Sequence, residues 1–283
     1  MSEPVLVLGA TGNVGAPLLH QLLEQGVPVR ALFDPSYGVA ELPAGVEPFP
    51  GDYSDAALVR RAMLGADAVF MLTPPSPSQP AWHRTLVDAA VDTGVRRIVK
   101  LSAFDSGPDS PLQMGRWHYD GERVLRESGI DHVILRPQYF MQMLVQPLRA
   151  ATGSGVFRGA AAGSLRMGFV HVRDIAAVAA VALASSDYSG SILVPTGATS
   201  PSFDEIGSLL SEATGSPVRY EQRSEHELRS SPPFTSWPEW HVADYLAIHG
   251  SAASDLVTTD VFDATGREPV DIRSFVDEVI TRG

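Results

Sequence analysis

Gly9, Gly12 and Gly15 stand three residues apart directly after the apolar run Val5–Leu8, a spacing that suits a backbone passing close to a bulky anion. Gly9 lets the chain turn off a strand, Gly12 leaves the approach free of side chain, and Gly15 lets the next helix pack close. Thr11, Asn13 and Val14 complete the turn. Amides at the head of that helix would face phosphate oxygens, helped by the positive end of its dipole. The chemistry implied is the grip on a dinucleotide pyrophosphate, with a plain packing turn as the alternative.

Those glycines need a strand before them and a helix after them, and the chain supplies both. Val14, Leu18, Leu19, Leu22 and Leu23 recur at helical spacing, Gly26 stops the run, and 27–33 reads as a second strand. Asp34 follows about 20 residues beyond the glycines, where a carboxylate accepts hydrogen bonds from an unphosphorylated ribose and repels a 2′-phosphate. NAD(H) is therefore expected over NADP(H), unless Asp34 merely begins a turn with Pro35 or Arg30 bends back to meet the phosphate.

The rest of the first two-thirds alternates in the same way. Helices are predicted over 55–64, 82–93 and 117–128, and an Ala-rich one over 175–184. Strands are predicted over 68–72, 97–101, 132–135, 168–172 and 191–194. The Pro-rich stretch 73–80 reads as a stiff loop, which puts Leu72, Thr73 and Pro74 at the strand edge where ligands of parallel sheets bind. The fold class expected is α/β, a doubly wound parallel sheet covered on both faces. Past residue 198 the texture changes to shorter helices, over 203–214, 238–248 and 272–280. The expected division is a dinucleotide-binding domain over 1–198 and a smaller C-terminal α/β region over 199–283 that completes a substrate pocket, with 140–165 contributing.

Composition narrows the function classes. A formal charge of −12 over 283 residues disfavours nucleic acid and anionic membranes as partners. With no cysteine, disulfides and thiolate chemistry are excluded. The histidines and carboxylates lack metal-ligand spacing, so no metal is expected. The first residues lack a basic leader, and the Ala-rich run is too short to span a bilayer. A cytoplasmic enzyme acting on a small molecule is the expectation, as a monomer or homodimer.

The fragments Gly9-Ala10-Thr11-Gly12-Asn13-Val14-Gly15, Gly51-Asp52, Val99-Lys100-Leu101-Ser102, Leu135-Arg136-Pro137, Phe169-Val170-His171-Val172-Arg173-Asp174 and Thr265-Gly266-Arg267 follow one another in an order and spacing that resembles the NmrA-like branch of the atypical short-chain dehydrogenase/reductase superfamily. The resemblance runs nearly end to end and implies a Rossmann domain. It implies an NAD(P)H-dependent reductase of quinones, azo compounds or natural-product intermediates, or else a non-catalytic sensor of cofactor redox state. A non-redox enzyme coupling or isomerising aromatic intermediates on the same fold is a further alternative.

Two departures from that pattern matter. The superfamily's Tyr-x-x-x-Lys motif falls here on Met114 and His118, so the usual proton donor is missing. His118 can bond a ribose or donate a proton near neutral pH, or can be a helix-surface residue. The second departure is Asp34, where many relatives carry an Arg for the 2′-phosphate. The resemblance puts Ser102 in the catalytic serine region, although a hydroxyl after a strand is often a turn former. It puts Asp52, beside Tyr53, near the adenine, unless Asp52 caps the following helix. Lys100, the chain's only lysine, reads as a strand-end group reaching solvent. Trp117, Tyr139 and Phe140 are read with Met114 as a flat aromatic substrate pocket, unless they are core. His171 and Asp174 are expected to pack and to anchor a loop. The acceptor expected is a planar, electron-poor quinone or enone, because conjugation spreads the developing charge and reduces the need for a strong acid.

Overall fold

The computed structural model describes residues 3–37 and 41–282. From β1 (Val5–Leu8) the chain passes the glycine turn into α1 (Gly15–Glu24), then β2 (Val29–Phe33), β3 (Val46–Pro50), α2 (Ala56–Met63) and β4 (Ala68–Met71). There follow α3 (Gln79–Thr93), β5 (Arg97–Leu101), α4 (Gln113–Glu127) and β6 (Asp131–Leu135). The next segment carries β7 (Tyr139–Phe140), α5 (Val145–Ser154), β8 (Val156–Gly159), β9 (Phe169–Val170), α6 (Val172–Ala184) and β10 (Ile192–Leu193). The C-terminal part holds α7 (Phe203–Thr214), β11 (Arg219–Gln222), α8 (Glu225–Arg229), α9 (Glu239–Ile248), α10 (Asp260–Thr265) and α11 (Ile272–Thr281).

The main sheet has seven strands in the order β10-β6-β5-β4-β1-β2-β3, and every pairing in it is parallel. This is the doubly wound arrangement expected. Strand order reverses between β1 and β4, and a crevice opens there beyond the strands' C-terminal ends. Because both faces are covered, the strands read as continuous apolar runs: Val5–Leu8 and Ala68–Met71 are buried throughout. One face packs α1 and α6 through Leu18, Leu22, Ile175 and Ala179. The other packs α2, α3 and α4 through Leu58, Val59, Leu86, Val87 and Leu125.

A separate core joins Met141, Leu148, Phe157 and Phe169 to Phe203, Leu210, Phe275 and Val276, so the segment around 140–165 shares its packing with the C-terminal helices. Traffic runs the other way too, since Val261 of α10 belongs to the core under α1 and α6.

Element boundaries differ from the sequence expectation where local chemistry overrides pattern. α4 begins at Gln113, not 117. α3 begins at Gln79 with Pro80 in its first turn, where a missing N–H costs nothing, so the end of the Pro-rich stretch is helical. Asp55 lies outside α2 as its cap, accepting from the amides of Ala57 and Leu58. The strand expected over 168–172 shortens to Phe169–Val170, because His171 caps α6 by accepting from the Arg173 amide.

Candidate active site

Gly9, Thr11, Gly12, Asn13 and Val14 line a cleft at the sheet's switch point, with Asp34, Tyr53, Leu72, Thr73, Pro74, Leu101 and Phe140 around it. The turn is tight. Gly12 N–H donates to the Gly9 carbonyl at 2.9 Å, and Gly9 holds a positive φ of 64°. A Cβ on Gly15 would stand 2.2 Å from the Gly9 carbonyl oxygen, so only glycine lets α1 start this close to β1. Helix α1 has neither a side-chain cap nor an acidic residue in its first turn. In its first turn Pro17 has no N–H and the amides of Ala16 and Leu18 donate to the carbonyls of Gly12 and Val14, so the Gly15 amide at the head of the helix, with the open glycine turn before it, is what faces a pyrophosphate, and the cradle fits that group.

Among the described residues, Asp34 is the one charged side chain lining this cleft. It also accepts from the Ser36 amide at 2.8 Å, so it does begin a turn. Arg30 does not bend back. Its guanidinium donates through Nε to Glu47 and through Nη1 to the carbonyls of Ala62 and Leu64. Asp52 does not cap α2, a role taken by Asp55, and instead closes its own turn by accepting from the Ser54 amide at 2.7 Å. Tyr53 lines the cleft and packs on Trp82 with ring centres 5.7 Å apart.

Behind the cleft lies a buried polar cluster. The hydroxyl of Thr73 is 3.0 Å from Nε2 of His83, and Gln79 donates to the same hydroxyl at 3.2 Å. The His83 ring sits 6.2 Å from that of His118. Room for His83 comes from Gly121 of α4, where a Cβ would fall 2.0 Å from its Nδ1. Nδ1 of His118 meets Nζ of Lys100 at 3.1 Å, and Nζ also donates to the Leu101 carbonyl.

Lys100 thus reverses its expected place: it is wholly buried and does not reach solvent. It lies on β5, a central strand covered on both faces, so its ammonium has no path to the surface. Burial drives that ammonium down to about 7, with Glu122 opposing and Arg136 and Arg126 adding to the fall. Burial also pushes His83 and His118 well below the usual imidazole range, and the Lys100 charge pushes further. Both rings are therefore neutral at pH 7. His118 is not a helix-surface residue, since only 9% of it is exposed.

Ser102 faces the same cluster from the end of β5. Its hydroxyl donates to Glu122 Oε1 at 2.6 Å, and Arg136 grips both oxygens of Glu122 at 2.9 and 2.6 Å. Arg126 adds a further bond at 2.7 Å. Burial alone would raise the Glu122 carboxyl, but the hydrogen bonds from Arg136 and Ser102 outweigh it and hold the group below its ordinary value. Ser102 is thereby committed to holding Glu122.

The aromatic residues expected to form one flat pocket are dispersed. Phe140 lines the cleft, Trp117 meets Trp240 edge-on at 4.9 Å, and Tyr139 packs between Phe169 and His249. Met114 packs against the second core. His171 and Asp174 do anchor their loops, Asp174 by accepting from the Val270 amide at 2.8 Å.

A family profile described as NAD(P)H-binding matches residues 9–186, from the glycine turn to the end of α6. The chain belongs to this NAD(P)H-binding family. It is 34% identical over 217 residues to the NAD(P)H azoreductase of Xenophilus azovorans, covering 76% of each protein. It is 34% identical over 219 residues to (4-alkanoyl-5-oxo-2,5-dihydrofuran-3-yl)methyl phosphate reductase of Streptomyces griseus, covering 77% of this chain and 76% of that one. The structure of an NADPH-dependent quinone oxidoreductase from Escherichia coli, complexed with NADPH, superposes with a TM-score of 0.84 at 24% identity over 98% of this chain and 99% of the other. The family's relatives place the chain among the oxidoreductases, with the NmrA-like resemblance upheld. No helix among the described residues is long and apolar enough to cross a membrane.

One member of the site came without a local signal. The buried carboxylate of Asp244, on α9, accepts from the amides of Gln113 and Met114 at 2.7 and 2.9 Å. It caps α4 from 130 residues away, where the local N-cap, Leu112, has no side-chain acceptor. The C-terminal region thereby fixes the helix that carries His118 and Glu122. Asp244→Ala is expected to cost roughly 2 kcal/mol in urea unfolding, with faster amide exchange in the first turn of α4. Asp244→Asn, which keeps one acceptor, should fall between that variant and the parent.

Proposed function

We propose that this protein is an NADH-linked reductase of planar, conjugated acceptors of the quinone or enone class, working without a tyrosine acid. What supports the reading is a glycine turn that fits a pyrophosphate with the carboxylate of Asp34 in the same cleft, and the buried, neutral imidazole of His118 where the superfamily resemblance expects a cationic lysine. When bound, the nicotinamide supplies hydride. The chain's own residues do the rest. α1 and the glycine turn bind the pyrophosphate, Asp34 accepts from the ribose hydroxyls, and Leu72, Thr73 and Pro74 form the wall beside them. Residues 199–283, with 140–165, complete the acceptor pocket.

A conjugated acceptor matches the site because negative charge is spread over its π system. A neutral donor such as His118 then suffices where ketone reduction asks for a stronger acid. The named substrates of the azoreductase and of the dihydrofuran reductase belong to the same broad chemistry. A chain without cysteine accords with work in the reducing cytoplasm.

Steady oxidation of NADH in the presence of a quinone or an enone tests the reading, and absence of turnover with tight nucleotide binding would favour a sensor. Asp34→Arg is expected to reverse the cofactor preference. Calorimetric titration should show NADPH affinity rising by roughly tenfold or more while NADH affinity falls. An unchanged ratio would mean that the side chain does not face the ribose.

A further inference from the structure

The buried contact between Lys100 and His118 has a chemical direction. An ammonium has three hydrogens and no lone pair, so at 3.1 Å from Nζ the Nδ1 of His118 must be the acceptor. A neutral ring that accepts at Nδ1 carries its one proton on Nε2. That Nε2 has no protein partner among the described residues, and the ring keeps 9% of its exposure while Lys100 keeps none. Nζ is held in register by its second bond, to the carbonyl of Leu101, whose residue lines the cleft.

We propose that Lys100 is a positioning and proton-supplying residue behind His118: it fixes the ring as the Nε2–H donor facing the acceptor pocket and replaces the proton which that nitrogen gives up. This rests on the reductase reading above. The protons balance. The reduced acceptor's anionic oxygen takes the proton from Nε2, and Nδ1 takes one from Nζ. His118 thus ends neutral with its proton on Nδ1, and Lys100 ends as an uncharged amine. The charge removed from Lys100 equals the negative charge removed from the acceptor. The cycle closes when Nε2, on the residue that keeps some exposure, takes a proton from solvent and Nδ1 hands its own back to Nζ.

The neighbourhood favours a lysine that gives up its proton and takes it back. Glu122 on α4 supports the ammonium, while Arg136 after β6 and Arg126 on α4 oppose it. His83 on α3 stands on the far side of His118 with its Nδ1 unpartnered. With burial added, the ammonium falls to about 7, close to the working pH at which a proton donor is most effective.

The test is the tautomer of His118, read by long-range ¹H–¹⁵N correlation on protein labelled in its imidazole rings, with His118→Gln to assign the signals. The expected result at about pH 6, below the lysine's value of about 7 so that the ammonium predominates, is one tautomer in the parent, protonated at Nε2, and a mixture in Lys100→Met. Turnover of a quinone in that variant should fall about 10²-fold with NADH affinity unchanged. In the parent, kcat should decline as pH rises through about 7, and the variant should lack that limb. Lys100→Arg serves as the second variant: it retains a donor to Nδ1 but does not release the proton, so it should keep the tautomer and lose turnover. A parent ring protonated at Nδ1, or an identical spectrum in Lys100→Met, overturns the proposal. A parent that turns over no quinone or enone but shows the Nε2–H tautomer overturns the reductase reading and the proton supply, and leaves the positioning role standing.

Discussion

Replacing Lys100 by Met is expected to make the protein more stable and less active at once. A lysine whose ammonium is lowered from 10.5 to about 7 by burial costs the fold roughly 4–5 kcal/mol at pH values where it stays protonated. Methionine has nearly the same length and no charge to bury. The substitution leaves the Leu101 carbonyl and His118 Nδ1 without their partner, which takes back about 1–3 kcal/mol. The net gain should be on the order of 2 kcal/mol and several degrees in melting temperature. The pH dependence follows from linkage. The folded value lies below the unfolded one, so the cost is fully present below about 7 and is relieved as pH climbs toward the ordinary lysine value of 10.5. The gap between variant and parent should therefore be widest in mild acid and close in alkali. Equal stability of the two proteins at pH 6 would show that the ammonium is not desolvated as described. A gain in stability bought by loss of turnover is the signature of a residue kept for function.

The cofactor half of the site was legible in the sequence because its physics is local. A strand, three glycines and a helix are contiguous, and each glycine answers a backbone constraint within that turn, so Gly9 to Gly15 and the doubly wound parallel sheet could be read along the chain. Asp34 and Thr73 follow from strand ends by the same rule. The buried polar cluster behind the cleft was not legible, because it is assembled across elements. Nothing near Lys100 says that β5 is flanked on both sides and that α4 brings His118 over its ammonium. Asp244 caps α4 from a helix in another part of the chain, and a carboxylate on that helix gives no sign of its distant partner. The resemblance did place His118 at the site, yet Lys100 itself reads as a strand-end solvating group in preference to a catalyst, because a lone lysine is usually solvated. One signal was available: Lys100 sits inside the apolar run 97–101, and a charge in a central parallel strand has nowhere to go but inward.

Glu122→Gln is expected to be the most damaging single change near the site. The carboxylate is fully buried and takes bonds from Ser102, Arg136 and Arg126. The glutamine amide can offer one oxygen to a fork built for two, and it turns an N–H₂ toward the guanidinium of Arg136. Removing one partner of a buried pair costs about 3–5 kcal/mol. Arg136 and Arg126 keep some contact with water, so the loss here should be roughly 2–4 kcal/mol. Its pH dependence has the opposite sense to that of Lys100. The folded carboxyl lies below the ordinary glutamate value of 4.5, so its contribution is complete above that pH and disappears as acid carries it through the lowered folded value. Urea unfolding from neutral pH down to roughly pH 3 should show the parent approaching the variant, and a constant difference would mean that the charge on Glu122 is not what stabilises the cluster. The change should also reach Lys100. Glu122 is the group that supports its ammonium, so the variant's alkaline limb in kcat should move to lower pH. A limb that stays in place while stability falls would separate the structural role of Glu122 from any influence on the proton behind His118.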